Sequence, residues 1–182
     1  MALTATVHRL NVTLSDVDRG VYETLELRVA RHPSESARYF WQRTLAYCLS
    51  YEEGIAFSKG GLSASEEPPV SIHDPTGVLL AWIDVGSPSA DRLHRASKAA
   101  RRVALFSATE LSLLQREAAS RKIHDIENIE LWLLDPRFLD ALDERLEKTL
   151  ALELVRSSGS LYATLPGGNV VESTITETRF SV

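Results

Sequence analysis

A run of apolar residues with one carboxylate near its end places the strongest constraint on the fold of this chain. The segment from Val78 to Val85 reads VLLAWIDV, and Asp84 is its charged residue. Such a run is typical of a strand that is covered on both faces. Because burying an isolated charge is costly, Asp84 requires a hydrogen-bond partner, a cation or a metal ion. We expect this strand at the centre of the fold.

A basic helix is predicted directly after this strand. The sequence GSP at residues 86–88 ends the strand, and Ser89 or Ser87 can cap a helix from about residue 90 to residue 102. Helical spacing puts the apolar residues on one side and spreads five basic residues over the other, namely Arg92, Arg95, Lys98, Arg101 and Arg102. This basic face is either a solvated surface or a site for phosphate groups.

Composition excludes several classes of protein. The net charge of −5 over 182 residues argues against a protein that coats nucleic acid by bulk electrostatics, so any phosphate binding is local. The single cysteine, Cys48, excludes an internal disulfide and a cysteine-based zinc site and fits a reducing compartment. The chain shows no signal-peptide pattern and no apolar run of the ~18 residues that a membrane helix needs. We expect one cytoplasmic domain over residues 1–182, without a membrane partner.

Apolar periodicity predicts a mixed α/β fold with an N-terminal β-hairpin and a β-rich C-terminal meander. A change of apolar phase in the first strand predicts a bulge near residues 8–10. Ser34 is expected to cap a helix that carries Glu35 in its first turn and runs to about Tyr51. A short strand at residues 55–57 then precedes a long loop at residues 58–77, and loops of that length are commonly functional.

The remainder of the chain alternates helices and strands before the meander. Strands are predicted at residues 103–106 and 128–134, helices at residues 108–120 and 136–146, and three final strands between residues 150 and 176. The five histidines show no HxH or HxxxH spacing, which argues against a histidine-rich metal site.

Three carboxylates are candidates for chemistry: Glu35 near a helix start, Glu67 in the long loop and Asp84 in the apolar strand. Oxygen ligands of this kind suit Mg²⁺ or Mn²⁺, which can promote attack of water on a phosphodiester. Structural explanations compete with this one. Glu35 can complement a helix dipole, and Glu67 can be a solvated loop charge. Asp84 can form a salt bridge with Arg31 or with an arginine of the following helix.

Several segments resemble those of the YaeQ family, over nearly the whole chain. They are the sequence ARHPSE at residues 30–35, Gly61-Leu62-Ser63 leading to Glu66-Glu67-Pro68, the sequence AWIDVG at residues 81–86 with Pro88, and Arg92 with Arg95-Ala96. That family is regarded as a variation on the PD-(D/E)XK nuclease fold. In this fold a mixed sheet with flanking helices presents an acid on one strand and an acid-x-lysine sequence on the next. The resemblance therefore implies a restriction endonuclease-like mixed β-sheet flanked by helices.

By this resemblance, Glu67 is expected as the first acid and Asp84 as the second, both as ligands of Mg²⁺ or Mn²⁺, with Glu35 as a supporting acid. The chain departs from the motif at Gly86, where a lysine is expected, and at Glu67, which precedes its proline instead of following it. Because that lysine neutralises developing charge, its absence removes one contribution to catalysis. The candidate substitutes are Lys59, Arg95 and Lys98, and the candidate phosphate-binding residues are Arg92, Arg95, Lys98 and Lys59.

Two functions of different classes follow. The first is a Mg²⁺- or Mn²⁺-dependent nuclease-like enzyme that acts on DNA or RNA, which the helix at residues 90–102 would contact. Its expected catalytic residues are Asp84, Glu67, Glu35, Lys98 and Arg95. The second is a non-catalytic binding or regulatory module, with a nucleic-acid or protein partner, that retains the nuclease-like fold. Convergence of the three carboxylates within ~5 Å, beside a basic nitrogen, would favour the enzyme.

Overall fold

The computed structural model describes residues 3–61 and 65–182 and has a mixed α/β fold, as predicted. Ten strands of this part of the chain form one sheet. They are β1 Thr6–Asp16, β2 Val21–Arg31, β3 Ile55–Phe57, β4 Val70–His73, β5 Leu79–Val85, β6 Arg102–Ser107, β7 Glu130–Leu134, β8 Thr149–Ser157, β9 Ser160–Thr164 and β10 Val170–Thr178. The helices are α1 Ala37–Leu49, α2 Ala90–Ala99, α3 Leu111–Ala118 and α4 Pro136–Asp143. None of the described helices is long and apolar enough to cross a membrane.

The strand order is β2-β1-β8-β9-β10-β7-β6-β5-β4-β3. The predicted N-terminal hairpin is present as β1 and β2, and β8, β9 and β10 form the predicted antiparallel meander. Parallel pairing of β8 with β1 and antiparallel pairing of β10 with β7 join these two parts into one sheet. Both of these pairings link segments that lie far apart in sequence.

The sheet is covered differently on its two faces. On one face, α1 and α4 pack over a core that includes Phe40, Ile83 and Leu139. On the other face, α2 and α3 pack over β5, β6 and β7, around residues such as Trp82 and Leu105. Successive side chains of a strand point to opposite faces, so Ile83 faces α1 while Trp82 faces α2. The central strand is therefore buried on both sides from Ala81 to Val85, as its apolar sequence predicts, whereas Leu80 near its start is exposed.

The unit that contains Asp84 is a β-α-β crossover. β5 and β6 are parallel, with Asp84 opposite Leu105, and α2 connects them. β4 and β5 are antiparallel, with Val70 opposite Ile83. α2 is shorter than predicted, because Ala100 is extended and leads the chain into β6. As a result Arg102 belongs to β6, and Arg101 lies between the two elements.

The predicted bulge in the first strand is wrong. β1 and β2 pair without interruption from Thr6 opposite Arg31 to Asp16 opposite Val21. The apolar phase changes because Leu3 and Val7 are 71% and 45% exposed, while the inward positions begin further along the strand. The phase change therefore marks apolar side chains on the open face and not an extra residue.

Two further predictions around the candidate site are also wrong. Ser36, not Ser34, caps α1, since its hydroxyl accepts the backbone N–H of Tyr39 at 3.1 Å. Glu35 therefore precedes the helix. The predicted loop at residues 58–77 contains β4, whose Val70 and Ile72 are buried between neighbouring strands. Within the motif segment Gly61-Leu62-Ser63, the last two residues lie outside the described residues.

Candidate functional site

Asp84 lies at the carboxyl end of β5 and forms an ion pair with Arg92. The side chain is buried, and its Oδ2 accepts a hydrogen bond from Arg92 Nε at 2.6 Å. Trp82 Nε1 donates to the same oxygen at 3.1 Å, and the backbone N–H of Val85 donates to Oδ1 at 3.2 Å. Of the partners considered for Asp84, the one that the structure shows is an arginine of the following helix. Arg31 instead pairs with a carboxylate of α4.

Arg92 also binds the backbone of the segment that precedes β4. Its Nη1 donates to the carbonyl oxygen of Ser65, and its Nη2 donates to that of Glu67 at 2.8 Å. The guanidinium therefore contacts three oxygen acceptors: the Asp84 carboxylate and two carbonyls. Ser89 caps α2 and places Arg92 in the first helical turn, beside the end of β5. Oxygen atoms of these kinds are also the ligands that hard divalent cations prefer.

The carboxylate of Glu67 does not face Asp84. Its Oε2 accepts a hydrogen bond from the hydroxyl of Ser58 at 2.9 Å, and the side chain is exposed. Glu67 lines a cavity of about 440 Å³ together with Lys59 and His73. Of the three basic residues considered as substitutes for the missing lysine, Lys59 is therefore the one that shares a cavity with Glu67.

Glu35 forms a separate buried ion pair on the other face of the sheet. Arg43 of α1 donates to both of its carboxylate oxygens, from Nε at 3.0 Å and from Nη2 at 3.1 Å. The backbone N–H of His32 donates to Glu35 at 3.2 Å, and Arg43 also donates to the carbonyl of Ala30 at 2.8 Å. Because Asp84 points toward α2 and this pair packs beside α1, the two carboxylates have separate arginine partners.

Tyr39 and Gly86 meet between these two ion pairs. Gly86 has a φ of +78°, and a Cβ placed there would lie 3.7 Å from Cδ2 of Tyr39. Burial raises the pKa of the Tyr39 phenol, and the negative charge of Asp84 raises this pKa further. Gly86 occupies the position where the motif has lysine, and its left-handed backbone strains any residue with a Cβ. The chain geometry at this position is thus suited to glycine.

The basic side chains of α2 are divided among different partners. Arg92 binds Asp84, and Arg95 forms an ion pair with Glu66. At a rise of 1.5 Å per residue, Lys98 lies about 9 Å further along the helix axis than Arg92. It lines a second cavity, near the start of β5, with Arg101. The structure therefore does not gather the predicted phosphate-binding residues at Asp84.

The oxygen ligands around Asp84 do not fit a Mg²⁺ or Mn²⁺ site as they are arranged. Within the described ranges, no group of three or more His, Cys, Asp or Glu side chains is placed to hold a metal ion. Asp84 faces Arg92, and the Glu67 carboxylate faces Ser58. Since Mg²⁺ requires near-octahedral oxygen ligands, at least one of these side chains would have to move. Metal binding by Glu67 and Asp84 stays a prediction.

Sequence reasoning missed Arg43 and Tyr39 as members of this region. Arg43 follows Glu35 by eight residues, whereas side chains that meet along a helix are three or four residues apart, so the spacing gives no signal of this pair. The pair forms because Glu35 lies in the segment before α1. Tyr39 carries no local signal either. Its position over Gly86 depends on how α1 packs across the end of β5.

Comparison with known proteins identifies relatives over most of the chain. The model of the YaeQ protein family matches residues 1–173. Two relatives carry the name Uncharacterized protein YaeQ. The one from Salmonella typhi is 32% identical over 167 residues, and the one from Escherichia coli K12 is 30% identical; each alignment covers 89% of this chain and 90% of the relative.

Two solved structures of YaeQ proteins have the same fold as this chain. The crystal structure from Pseudomonas syringae has a TM-score of 0.85 and 28% sequence identity, and the match covers 97% of both chains. The structure from Xanthomonas axonopodis pv. citri also has a TM-score of 0.85, with 26% identity, and the match covers 98% of this chain and 100% of that one.

Proposed function

This chain belongs to the YaeQ family, and we propose that it is a non-catalytic nucleic-acid-binding module with a restriction endonuclease-like fold. The observation that carries the proposal is the position of Arg92. Its guanidinium contacts the Asp84 carboxylate and the backbone carbonyls of Ser65 and Glu67. In the nuclease motif, a metal ion is expected at the two acids that correspond to Glu67 and Asp84. Here a fixed cation of the protein itself lies between these two segments.

The order of the central elements supports the restriction endonuclease-like part of the proposal. α1 is followed by the antiparallel strands β3, β4 and β5, then by α2 and by β6, which is parallel to β5. Glu67 precedes β4, and Asp84 lies near the end of β5. Because Val70 pairs with Ile83, both acids come to the same end of the β4–β5 pair. The motif describes an acid on one strand and a second acid on the next strand, and here the first acid lies three residues before its strand.

The surroundings of Asp84 support a module without catalysis. Hydrolysis of a phosphodiester needs groups that activate water and stabilise developing charge. The lysine that would do so is replaced by Gly86, and Arg92 already forms a close ion pair with Asp84. Glu35 is likewise occupied by Arg43.

A nucleic-acid partner is supported by the basic residues outside these ion pairs. Among the described residues, Lys59, Lys98 and Arg101 have no carboxylate within salt-bridge distance, whereas Arg92 and Arg95 do. Phosphate groups bind such side chains electrostatically, and the binding weakens as salt increases. The net charge of −5 restricts this contact to local surfaces.

A metal-dependent nuclease is the second candidate, and one observation favours it. Glu67 and Asp84 lie at the same end of adjacent antiparallel strands, and the Arg92 side chain between them is 20% exposed. This candidate requires Arg92 to leave Asp84 and the Glu67 carboxylate to leave Ser58. It therefore predicts that Mg²⁺ or Mn²⁺ stabilises the protein.

Metal titration and a cleavage assay separate the two candidates. We expect the thermal midpoint of the wild type and of Asp84→Asn to be unaffected by millimolar Mg²⁺ or Mn²⁺, since a ligand stabilises only the state that binds it. Labelled DNA and RNA, single-stranded and duplex, should be bound at low salt in EDTA and remain intact when Mn²⁺ is added. Cleavage by the wild type that is lost in Asp84→Asn would establish the nuclease. Absence of binding to all four probes would exclude nucleic acid as the partner.

A further inference from the structure

We propose that the cavity at the carboxyl end of α2 binds one nucleotide unit, with its phosphate on Lys98 and Arg101. The cavity has a volume of about 730 Å³ and lies between residues 78–80 at the start of β5, the end of α2 and residues 124–129. Its volume is within the range of roughly 300–1,000 Å³ that is usual for small-molecule sites. The cavity lies at the opposite end of β5 from Asp84, so it is separate from the acidic site.

The two cations at this cavity are the first part of the argument. Within residues 3–61 and 65–182, neither Lys98 nor Arg101 has a salt-bridge partner, although Arg95 and Arg102 beside them do. Two cations that line one cavity attract an anion between them. The planar guanidinium of Arg101 can bind two phosphate oxygens at once, and the Lys98 ammonium adds a point charge.

Nearby negative charge does not cancel this pair. Asp125, the carboxylate among the described lining residues, faces His124, with its Oδ2 3.3 Å from Nε2. The negative charge of Asp125 and the partial charge of about −0.5 at the end of α2 together remain smaller than the two positive charges. The cavity therefore keeps a net attraction for a phosphate group.

The apolar wall is the second part of the argument. Val78 and Leu80 are 56% and 42% exposed, and both line the cavity next to the cations. Exposed aliphatic side chains beside a charged pocket suit a ligand that carries a flat apolar body on an anionic group. Ser97 and Asn128 also line the cavity and offer hydrogen bonds to the edge of a base. A nucleoside phosphate has this combination of properties.

This inference rests on the proposed function and locates the contact. The shared chemistry is a phosphate attached to a nucleoside, and its source is either a residue of a single strand or a free nucleotide. A concave site of this size accepts one nucleotide unit but not the body of a duplex. We therefore expect single strands to bind more tightly than duplexes of the same sequence.

Titration of the full chain with adenosine monophosphate tests the cavity, with adenosine and inorganic phosphate as partial ligands. The variants are Lys98→Ala, Arg101→Ala and the double variant. Arg38→Ala is the matched control, because Arg38 is an exposed helical cation that pairs with Asp140 and does not line the cavity. We expect adenosine monophosphate to bind, each cavity variant to weaken this binding about tenfold, and the control to change it less than twofold. Thermal unfolding checks that every variant is folded.

A labelled oligothymidylate, measured by fluorescence anisotropy, separates failure of this inference from failure of the proposed function. If adenosine monophosphate competes with the strand, and the double variant binds neither ligand, both this inference and the proposed function are supported. If the wild type and the double variant bind the strand equally and neither binds the nucleotide, the cavity is not the nucleotide site. The proposed function is then retained. Nucleotide binding that depends on Lys98, without strand binding, supports the cavity for a free nucleotide and refutes the nucleic-acid partner.

Discussion

The variant Arg92→Ala tests how much the ion pair between Arg92 and Asp84 contributes to the free energy of unfolding. Asp84 is 2% exposed in the wild type. In Arg92→Ala its carboxylate would keep the N–H groups of Trp82 and Val85 but lose its cation. Leaving one member of a buried ion pair without its partner costs about 3–5 kcal/mol. Because the Arg92 side chain is 20% exposed, water can reach the vacated space, and we expect the lower end of the range, about 3 kcal/mol.

The variant Asp84→Asn removes the same ion pair by changing its acidic member, and it should lower the free energy of unfolding by less. In Asp84→Asn the amide oxygen still accepts hydrogen bonds, and Arg92 can turn toward water, so we expect a loss of about 1 kcal/mol. The double variant contains neither charge. Its loss should therefore be less than the sum of the two single losses, with a coupling of about 2 kcal/mol.

Urea unfolding at neutral pH in EDTA measures these three variants against the wild type. Arg95→Ala is the control, since its pair with Glu66 is exposed on both sides and should contribute within about 0.5 kcal/mol. Additive losses in the double variant would refute the reasoning, because they would show that the contribution of Asp84 to the free energy of unfolding does not depend on Arg92.

Two further predictions concern Gly86 and Cys48. Gly86→Lys should lower the free energy of unfolding by about 1–2 kcal/mol and confer no cleavage, because φ is positive and Arg92 still binds Asp84. Gly20→Lys is the matched control, with positive φ but open space around its Cβ; metal-dependent cleavage by Gly86→Lys would contradict the prediction. Burial raises the pKa of the Cys48 thiol to about 12, so roughly one molecule in ten thousand holds the reactive thiolate at pH 8. A disulfide reagent should label Cys48 only after unfolding, and rapid labelling of the folded protein would show that the thiol is accessible.

The elements nearest to Asp84 could be predicted from local patterns. β5 has a continuous apolar run, and α2 has both a capping serine and an amphipathic period, so each is encoded within its own residues. β4 was missed although its four residues alternate between apolar and polar types, because so short a segment does not stand out within a stretch rich in Gly, Ser and Pro. Val70, Ser71 and Ile72 are all buried by pairing with β3 and β5, and that pairing is not visible within the segment.

The candidate site could be predicted only in part. Asp84, Glu67 and Glu35 were identified by residue type and motif, but the direction of each carboxylate depends on neighbours from other elements. Glu67 turns to Ser58. Lys98 was expected beside Asp84, yet the axis of α2 carries it to the other end of the strand.

The sequence by itself determined that Asp84 needs a partner, because a continuous apolar run around one carboxylate is typical of a strand that is covered on both faces. Only the tertiary structure decided that this partner is Arg92. The guanidinium joins Asp84, eight residues before it, to the backbone of Ser65, 27 residues before it. These groups meet because β4 pairs antiparallel to β5 while α2 starts beside the same end of the strand. Such a meeting depends on long-range pairing, which local sequence patterns do not specify.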